Sequence, residues 1–239
     1  MTGLMNDKLK CSAAKLCGFL SVWAAILLIV AAAVYGIAGN GDLLTKKMLQ
    51  YAPPETTGLP GTEYPGAAHM IAGYLTGSGE TFQYTFSDAE NRVYICFQSH
   101  EADHMADCRA LIRLAGILRL AFGGAAAVFT AAGMLIRRRT AFAQGMLRGL
   151  CAAGFVITGL LLWALADFDG LFTSFHRVAF TNDGWILNPR TDLLIRLMPV
   201  NFFIALAARI LIWTVAGGLA LSGLAVLLRS RKGKAENAC

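Results

Sequence analysis

Four long apolar runs constrain this 239-residue chain more than any other feature: residues 17–36, 111–136, 147–166 and 202–228. A bilayer's hydrocarbon layer of ~30 Å needs ~20 apolar residues in a helix to cross it, and each run meets that length. A water-soluble core has no use for four such runs. The balance of residues agrees, since the chain is 56% hydrophobic and 15% charged, against ~45–50% and ~25% for soluble domains. The expected fold class is therefore mainly α: a polytopic membrane protein with four transmembrane helices and a small extracytoplasmic α+β cap.

Short basic flanks set the orientation. Lys8, Lys10 and Lys15 precede the first run, Arg137, Arg138, Arg139 and Arg148 lie between the second and third, and Arg229, Arg231, Lys232 and Lys234 follow the fourth. If every run spans, all three clusters fall on one side, so both termini are expected in the cytoplasm. The chain then divides into a cytoplasmic N-terminus (1–16), a first span (17–36), an extracytoplasmic cap (37–110), a second span (111–136), a cytoplasmic loop (137–146), a third span (147–166), an extracytoplasmic His-bearing loop (167–201), a fourth span (202–228) and a short, polar, disordered cytoplasmic tail (229–239). The first run is longer than the 7–15 apolar residues of a signal peptide and is read as an uncleaved anchor. Cys17 opens that run instead of following it and so is not a lipoprotein attachment cysteine. The orientation bias accounts for the net charge of +6, and no aromatic-basic interleaving points to nucleic acid. Only Cys96 and Cys108 fall outside the cell, and whether they pair depends on a Cβ approach that sequence does not show.

In the cap, residues 51–65 are rich in Pro, Gly and Thr and are expected to form an irregular loop. Met70, Ile71, Tyr74 and Leu75 have helical spacing over 67–76, with Gly77 as the stop. Phe82, Tyr84 and Phe86, then Val93, Ile95 and Phe97, alternate with polar residues around a turn at 87–91, which predicts a β-hairpin. Ser99 can cap a helix that runs into the second span. On that helix His104, Asp107, Cys108 and Leu111 share a face. Seven residues at 1.5 Å place His104 ~10 Å outside the hydrocarbon edge, the depth of a glyceryl ester.

Several constellations invite chemistry. His100-Glu101-Ala102-Asp103-His104 matches the H-E-x-x-H pattern of zinc proteases, but no downstream ligand follows on a facing helix. Ser174 near His176 and Ser99 beside His100 lack a G-x-S-x-G elbow, and no Gly-rich phosphate loop is present. Arg119 and Arg209 lie about two turns inside the outer ends of their spans. Such charges either snorkel to headgroups or serve as cations near an acyl ester. Trp185 has the character of an interfacial anchor, and His69 is assigned no role. Two extracytoplasmic histidines at headgroup depth, His104 and His176, point to chemistry on a lipid-linked substrate.

Phe175-His176, Phe180, Asn182-Asp183, Trp185, Pro189, Asp192-Leu193-Leu194-Ile195, Pro199 and Phe202-Phe203 form a pattern that resembles the lipoprotein intramolecular transacylase family of Gram-positive bacteria. Glu101, His104-Met105-Ala106-Asp107 and Arg109 resemble that family's other signature. The chain departs from the pattern at Cys108, where an aliphatic residue is expected, and in the Pro/Gly-rich stretch 51–65. The resemblance implies a membrane acyltransferase that moves the sn-2 acyl chain of a diacylglyceryl lipoprotein to the α-amine of its N-terminal cysteine. Its partners would be membrane lipid and the diacylated lipoprotein N-terminus, without metal or cofactor. The nucleophile belongs to the substrate, so the protein must supply a base and an oxyanion donor. The roles carried over are catalytic for His104 and His176, and substrate-binding or supporting for Glu101, Asp107, Arg109, Arg177, Asn182, Asp183 and Trp185, with Arg119 and Arg209 added from their position in the spans. A non-enzymatic lipid-binding scaffold and a membrane zinc protease are the alternatives.

Overall fold

The computed structural model describes residues 2–230. The cytoplasmic tail expected beyond that point, with Arg231, Lys232, Lys234 and Cys239, lies outside the described residues. The elements run α1 (Thr2–Ala38), α2 (Gly41–Tyr51), α3 (Pro54–Thr57), a 3-10 turn (Gly61–Glu63), α4 (Tyr64–Thr76), β1 (Thr85–Ser87), β2 (Val93–Ile95), α5 (Ser99–Leu135), α6 (Arg139–Ala166), α7 (Phe168–Ala179), α8 (Leu193–Leu197) and α9 (Val200–Ser230). Helices α1, α5, α6 and α9 are long and apolar enough to cross a bilayer. The fold class read from the sequence holds: four membrane helices and a small cap that contains a two-stranded sheet.

Within the described residues the chain forms two packing units. One joins residues 2–31, 117–165 and 211–230. Its core gathers Val22 and Ile26 of α1, Phe142 and Met146 of α6, and Ala225 of α9. Helices α1 and α6 meet backbone to backbone: a Cβ built on Gly18 would overlap the Phe142 carbonyl oxygen, and one on Gly145 the Lys15 carbonyl oxygen. Lipid tails are as apolar as leucine, so helices in a bilayer associate by such close fit rather than by hydrophobic drive. Phe155, Leu120 and Leu219 remain exposed along the spans.

The other unit joins residues 32–116 and 166–210. Its core centres on Met48, Leu59, Tyr64, Ile71, Phe97, Met105, Leu197 and Phe202. Helix α2, absent from the sequence expectation, starts where the Asn40 side chain accepts the Leu43 N–H at 2.9 Å, and it buries Leu44 and Met48 one turn apart. The stretch 51–65 is not the irregular loop expected. Pro54 opens α3, and Gly58 closes it at φ 76°, a left-handed conformation that suits glycine. Fully buried Tyr64 then pins the segment, donating its hydroxyl to the Ala52 carbonyl at 2.5 Å and sharing a hydrogen bond with Thr57 at 2.7 Å.

Helix α4 starts three residues before the expected 67, with Pro65 in its first turn, and stops at Gly77 as expected. The hairpin is present but shorter than the alternation suggested, pairing Thr85 with Ile95 and Ser87 with Val93. Phe82 and Phe97 leave the ladder and stack in the core with centroids 4.8 Å apart. Cys96 and Cys108 are both free thiols. Burial, then the carboxylates of Glu63 and Glu101, push the Cys96 thiol up to about 11.

Candidate active site

Three features of the second unit build the site: α7, the first turns of α5, and the loop from Phe180 to Asp192. The segment expected as a loop opens with a helix. Asp167 breaks α6 and caps α7, accepting the Gly170 N–H at 2.8 Å. Phe168, Phe172, His176 and Phe180 then recur at four-residue spacing and pack ring on ring in sequence, the first pair stacked and the next two tilted, with centroids 6.2, 4.2 and 5.4 Å apart. Phe203 of α9 lies against Phe172 at 4.9 Å.

This ladder holds His176 at 8% exposure. Its Nδ1 lies 2.8 Å from the Phe172 carbonyl oxygen. A carbonyl only accepts, so Nδ1 carries the proton in the neutral ring and Nε2 keeps its lone pair. Trp185 packs at 5.1 Å. Trp185, expected as an interfacial anchor, here forms a wall of the histidine's box.

His104, on the second turn of α5, is also 8% exposed. Its ring centroid stands 6.2 Å from that of His176 and 5.3 Å from that of Phe180. Its Nε2 meets the Cys108 sulfur at 3.5 Å, while Nδ1 is buried and has no hydrogen-bond partner among the described residues. Cys108, the departure from the family pattern, is therefore the neighbour that orients His104.

Helix α5 holds the loop through side chains on its first three turns. Glu101, fully buried, accepts the Gln98 N–H with one carboxylate oxygen and the Leu194 N–H at the start of α8 with the other, both at 2.7 Å. Gln98, not Ser99, occupies the capping position, and Glu101 reaches back to it as in the second half of a capping box. His100 pairs with buried Asp192 at 2.9 Å. Asp107 accepts from the Asn182 amide at 2.9 Å, and Asn182 in turn accepts the Gly184 N–H at 2.9 Å. The H-E-x-x-H side chains thus have three separate sets of partners and do not converge on one point. Burial alone would raise the Asp192 carboxyl, but bonds from Thr191, His100 and the Asn188 amide outweigh it and hold it below the usual carboxylate range.

The other residues singled out from the sequence are more scattered. Arg109 lays its guanidinium over the Tyr74 ring at 4.6 Å. Arg177 and Asp183 are exposed, Arg119 is half-buried in α5 and Arg209 is exposed on α9.

A model of the family lipoprotein intramolecular transacylase Lit matches residues 19–203. This chain belongs to the lipoprotein intramolecular transacylase family. It is an integral membrane protein and, by family, an acyltransferase. The crystallised lipoprotein intramolecular transacylase of Bacillus cereus is similar in fold: TM-score 0.73 at 18% identity, covering 91% of this chain and 96% of that one. Variants of that protein with a histidine replaced by arginine or by alanine both superpose at TM-score 0.67. Their identities are 16% and 17%, covering 95% and 97% of this chain and 95% and 98% of theirs. No individually curated protein matches. The two stretches that carry the resemblance to the transacylase family, 101–109 and 175–203, are the ones joined here by the imidazole pair and by the Glu101 and Asp107 bonds.

Proposed function

We propose that this transacylase moves the sn-2 acyl chain of a diacylglyceryl lipoprotein to the α-amine of the lipoprotein's N-terminal cysteine, at the outer leaflet, with both termini cytoplasmic. The product is an N-acyl, S-monoacylglyceryl lyso-form. The observation that carries this is the pair of buried imidazoles 6.2 Å apart, whose four nitrogens have unlike surroundings. His176 is the base: with Nδ1–H donated to Phe172, its Nε2 accepts the proton of the attacking amine. His104 is the donor: with Nε2 accepting from the Cys108 thiol, its Nδ1–H is aimed at the developing oxyanion. The amine nitrogen attacks the ester carbonyl and loses a proton to His176. The tetrahedral intermediate then collapses, the bond to the sn-2 oxygen breaks, and that oxygen takes the same proton back. An amide and a free sn-2 hydroxyl result, so atoms and protons balance without a cofactor. Glu101, Asp107 and Asn182 position the loop and touch no reacting atom.

The test is mass spectrometry of a reporter lipoprotein's N-terminal peptide in a host that lacks its own N-acyltransferase. Base or donor catalysis contributes ~10²–10⁴-fold, so His176→Ala and His104→Ala each remove detectable lyso-form at unchanged protein level. Gln at 104 still donates and retains partial conversion, whereas Gln at 176 does not. The opposite pattern would exchange the two roles, and full conversion by both alanine variants would remove the site. A cysteine placed at Gly79 reacts with an impermeant thiol reagent from outside the cell; protection there would invert the topology.

A further inference from the structure

Arg109 and Arg113 stand one turn apart on α5 and both reach the C-terminal end of α4. Their Nη2 atoms lie 3.9 and 4.0 Å from the point where a side chain on Gly77 would begin, so they are separated by no more than the sum of those distances. Two like charges at that spacing repel unless something anionic sits between them. Among the described residues neither has a carboxylate within ion-pair distance. The Tyr74 ring covers one face of the Arg109 guanidinium, and the Arg109 Nε–H is buried without an acceptor among the described residues. A buried donor left unpaired costs about 1–3 kcal/mol. The end of the α4 dipole attracts both cations, but the Gly73 carbonyl is already taken by the amides of Gly77, Ser78 and Gly79 and by the Ser78 hydroxyl.

The two arginines lie five and nine residues beyond His104 toward the apolar run. That is ~7 and ~13 Å further along the helix axis, on either side of the start of the apolar run at residue 111, from which long arginine side chains reach back to the phosphates. We propose that Arg109 and Arg113 together grip the phosphodiester of a membrane phospholipid. The forked guanidinium donors suit phosphate oxygens. The diacylglyceryl-cysteine substrate carries no phosphate, so this lipid is a companion of the reaction and not its substrate. This site does not depend on which histidine acts as base, and its test reads binding, not acyl transfer.

The experiment is native mass spectrometry of the purified full-length protein in detergent. The probes are phosphatidylglycerol, diacylglycerol with the same chains, and inorganic phosphate, each added alone. The wild type retains one phosphatidylglycerol and no diacylglycerol. Arg113→Gln, at an exposed position, weakens retention roughly tenfold, the loss of one charge-assisted contact; Arg113→Lys is intermediate, and Arg109→Gln with Arg113→Gln abolishes it. Arginine-dependent binding of phosphatidylglycerol without binding of inorganic phosphate assigns the site to lipid. Arginine-dependent binding of inorganic phosphate alone would keep the anion site but move its source to solution. Equal retention of phosphatidylglycerol by Arg113→Gln, or equal retention of diacylglycerol by the wild type, would overturn the site.

Discussion

The two packing units reach a defined structure with opposite residue choices. In the unit that contains Gly18 and Gly145, specificity comes from what is missing: without side chains at those positions two helix backbones touch. In the unit that contains the histidines it comes from what is added: packed rings, a fully buried carboxylate and bonds from helix to loop. The solvent explains the difference. Lipid offers no hydrophobic drive between helices, so fit decides and small residues win. The cap and its loop fold where water competes, so apolar burial and satisfied polar groups decide. The proposed chemistry needs the second pattern, because buried imidazoles must be held at one angle by neighbours that can bond.

The strongest way to break the comparison is to enlarge the seam. Gly145→Leu forces a side chain into the Lys15 backbone, which cannot swing aside as a flexible side chain would. Overpacking ordinarily costs ~1–3 kcal/mol, and more where nothing yields. Size-exclusion chromatography in detergent is expected to show the folded species lost, whereas His104→Ala keeps it and loses only activity. A folded, active Gly145→Leu protein would mean the glycine contact does not hold α1 and α6 together.

Glu101 sharpens the other side. Glu101→Ala orphans the Gln98 and Leu194 amides, at about 1–3 kcal/mol each. Glu101→Gln keeps one acceptor oxygen and falls between Ala and the wild type. Thermal melting reads this order, and lyso-lipoprotein formation drops with it as the loop loosens. Equal melting of all three proteins would strip Glu101 of its bridging role.

Cys108 has a smaller effect. Cys108→Val removes the partner of His104 Nε2 and frees the imidazole to change tautomer. A net hydrogen bond of ~0.5–1.5 kcal/mol translates to a rate loss of up to about tenfold. The pH–rate profile should move in Cys108→Val and return in Cys108→Ser, which keeps a donor. A valine variant with wild-type rate and profile would leave His104 without this proposed control.

These residues also show where the sequence was legible. The four spans were plain because apolar length is a local property. His104 and His176 were legible as residues on one side of a membrane, but their 6.2 Å separation is a product of chain folding that no spacing states. Helix α7 was missed although the aromatic and histidine positions 168, 172, 176 and 180 carry a helical period; the Asp167 break and the polar residues after 180 made the segment look like a loop. Glu101 falls in a formal H-E-x-x-H match that lacks a downstream ligand, and only the family resemblance marks it as a supporting residue; its bond to Leu194 spans 93 residues and no local pattern states it. Cys108 stands out as a departure from the family pattern, and its i,i+4 spacing puts it on the face of His104, but the contact of its sulfur with the ring depends on rotamers that spacing does not state.

The mildest test turns on Asp192, which joins His100 to the loop. Its carboxyl sits below the ordinary range because three bonds to the charged form outweigh the effect of burial. A group whose folded pKa is depressed contributes stability above its unfolded value, ordinarily ~3.9, and loses that contribution as pH falls through the folded value. Asp192→Asn should therefore melt below the wild type from neutral pH down to about pH 5. The gap should narrow as pH falls below ~4 and through the lower folded value, where the wild-type carboxyl takes up its proton and accepts less from its partners. His100→Ala should reproduce part of the neutral-pH loss while leaving the acid limb similar to that of the wild type, since Thr191 and the Asn188 amide still bond the carboxylate. A constant gap between the wild type and Asp192→Asn across the whole titration would mean that shape, not charge, is what Asp192 contributes to the loop.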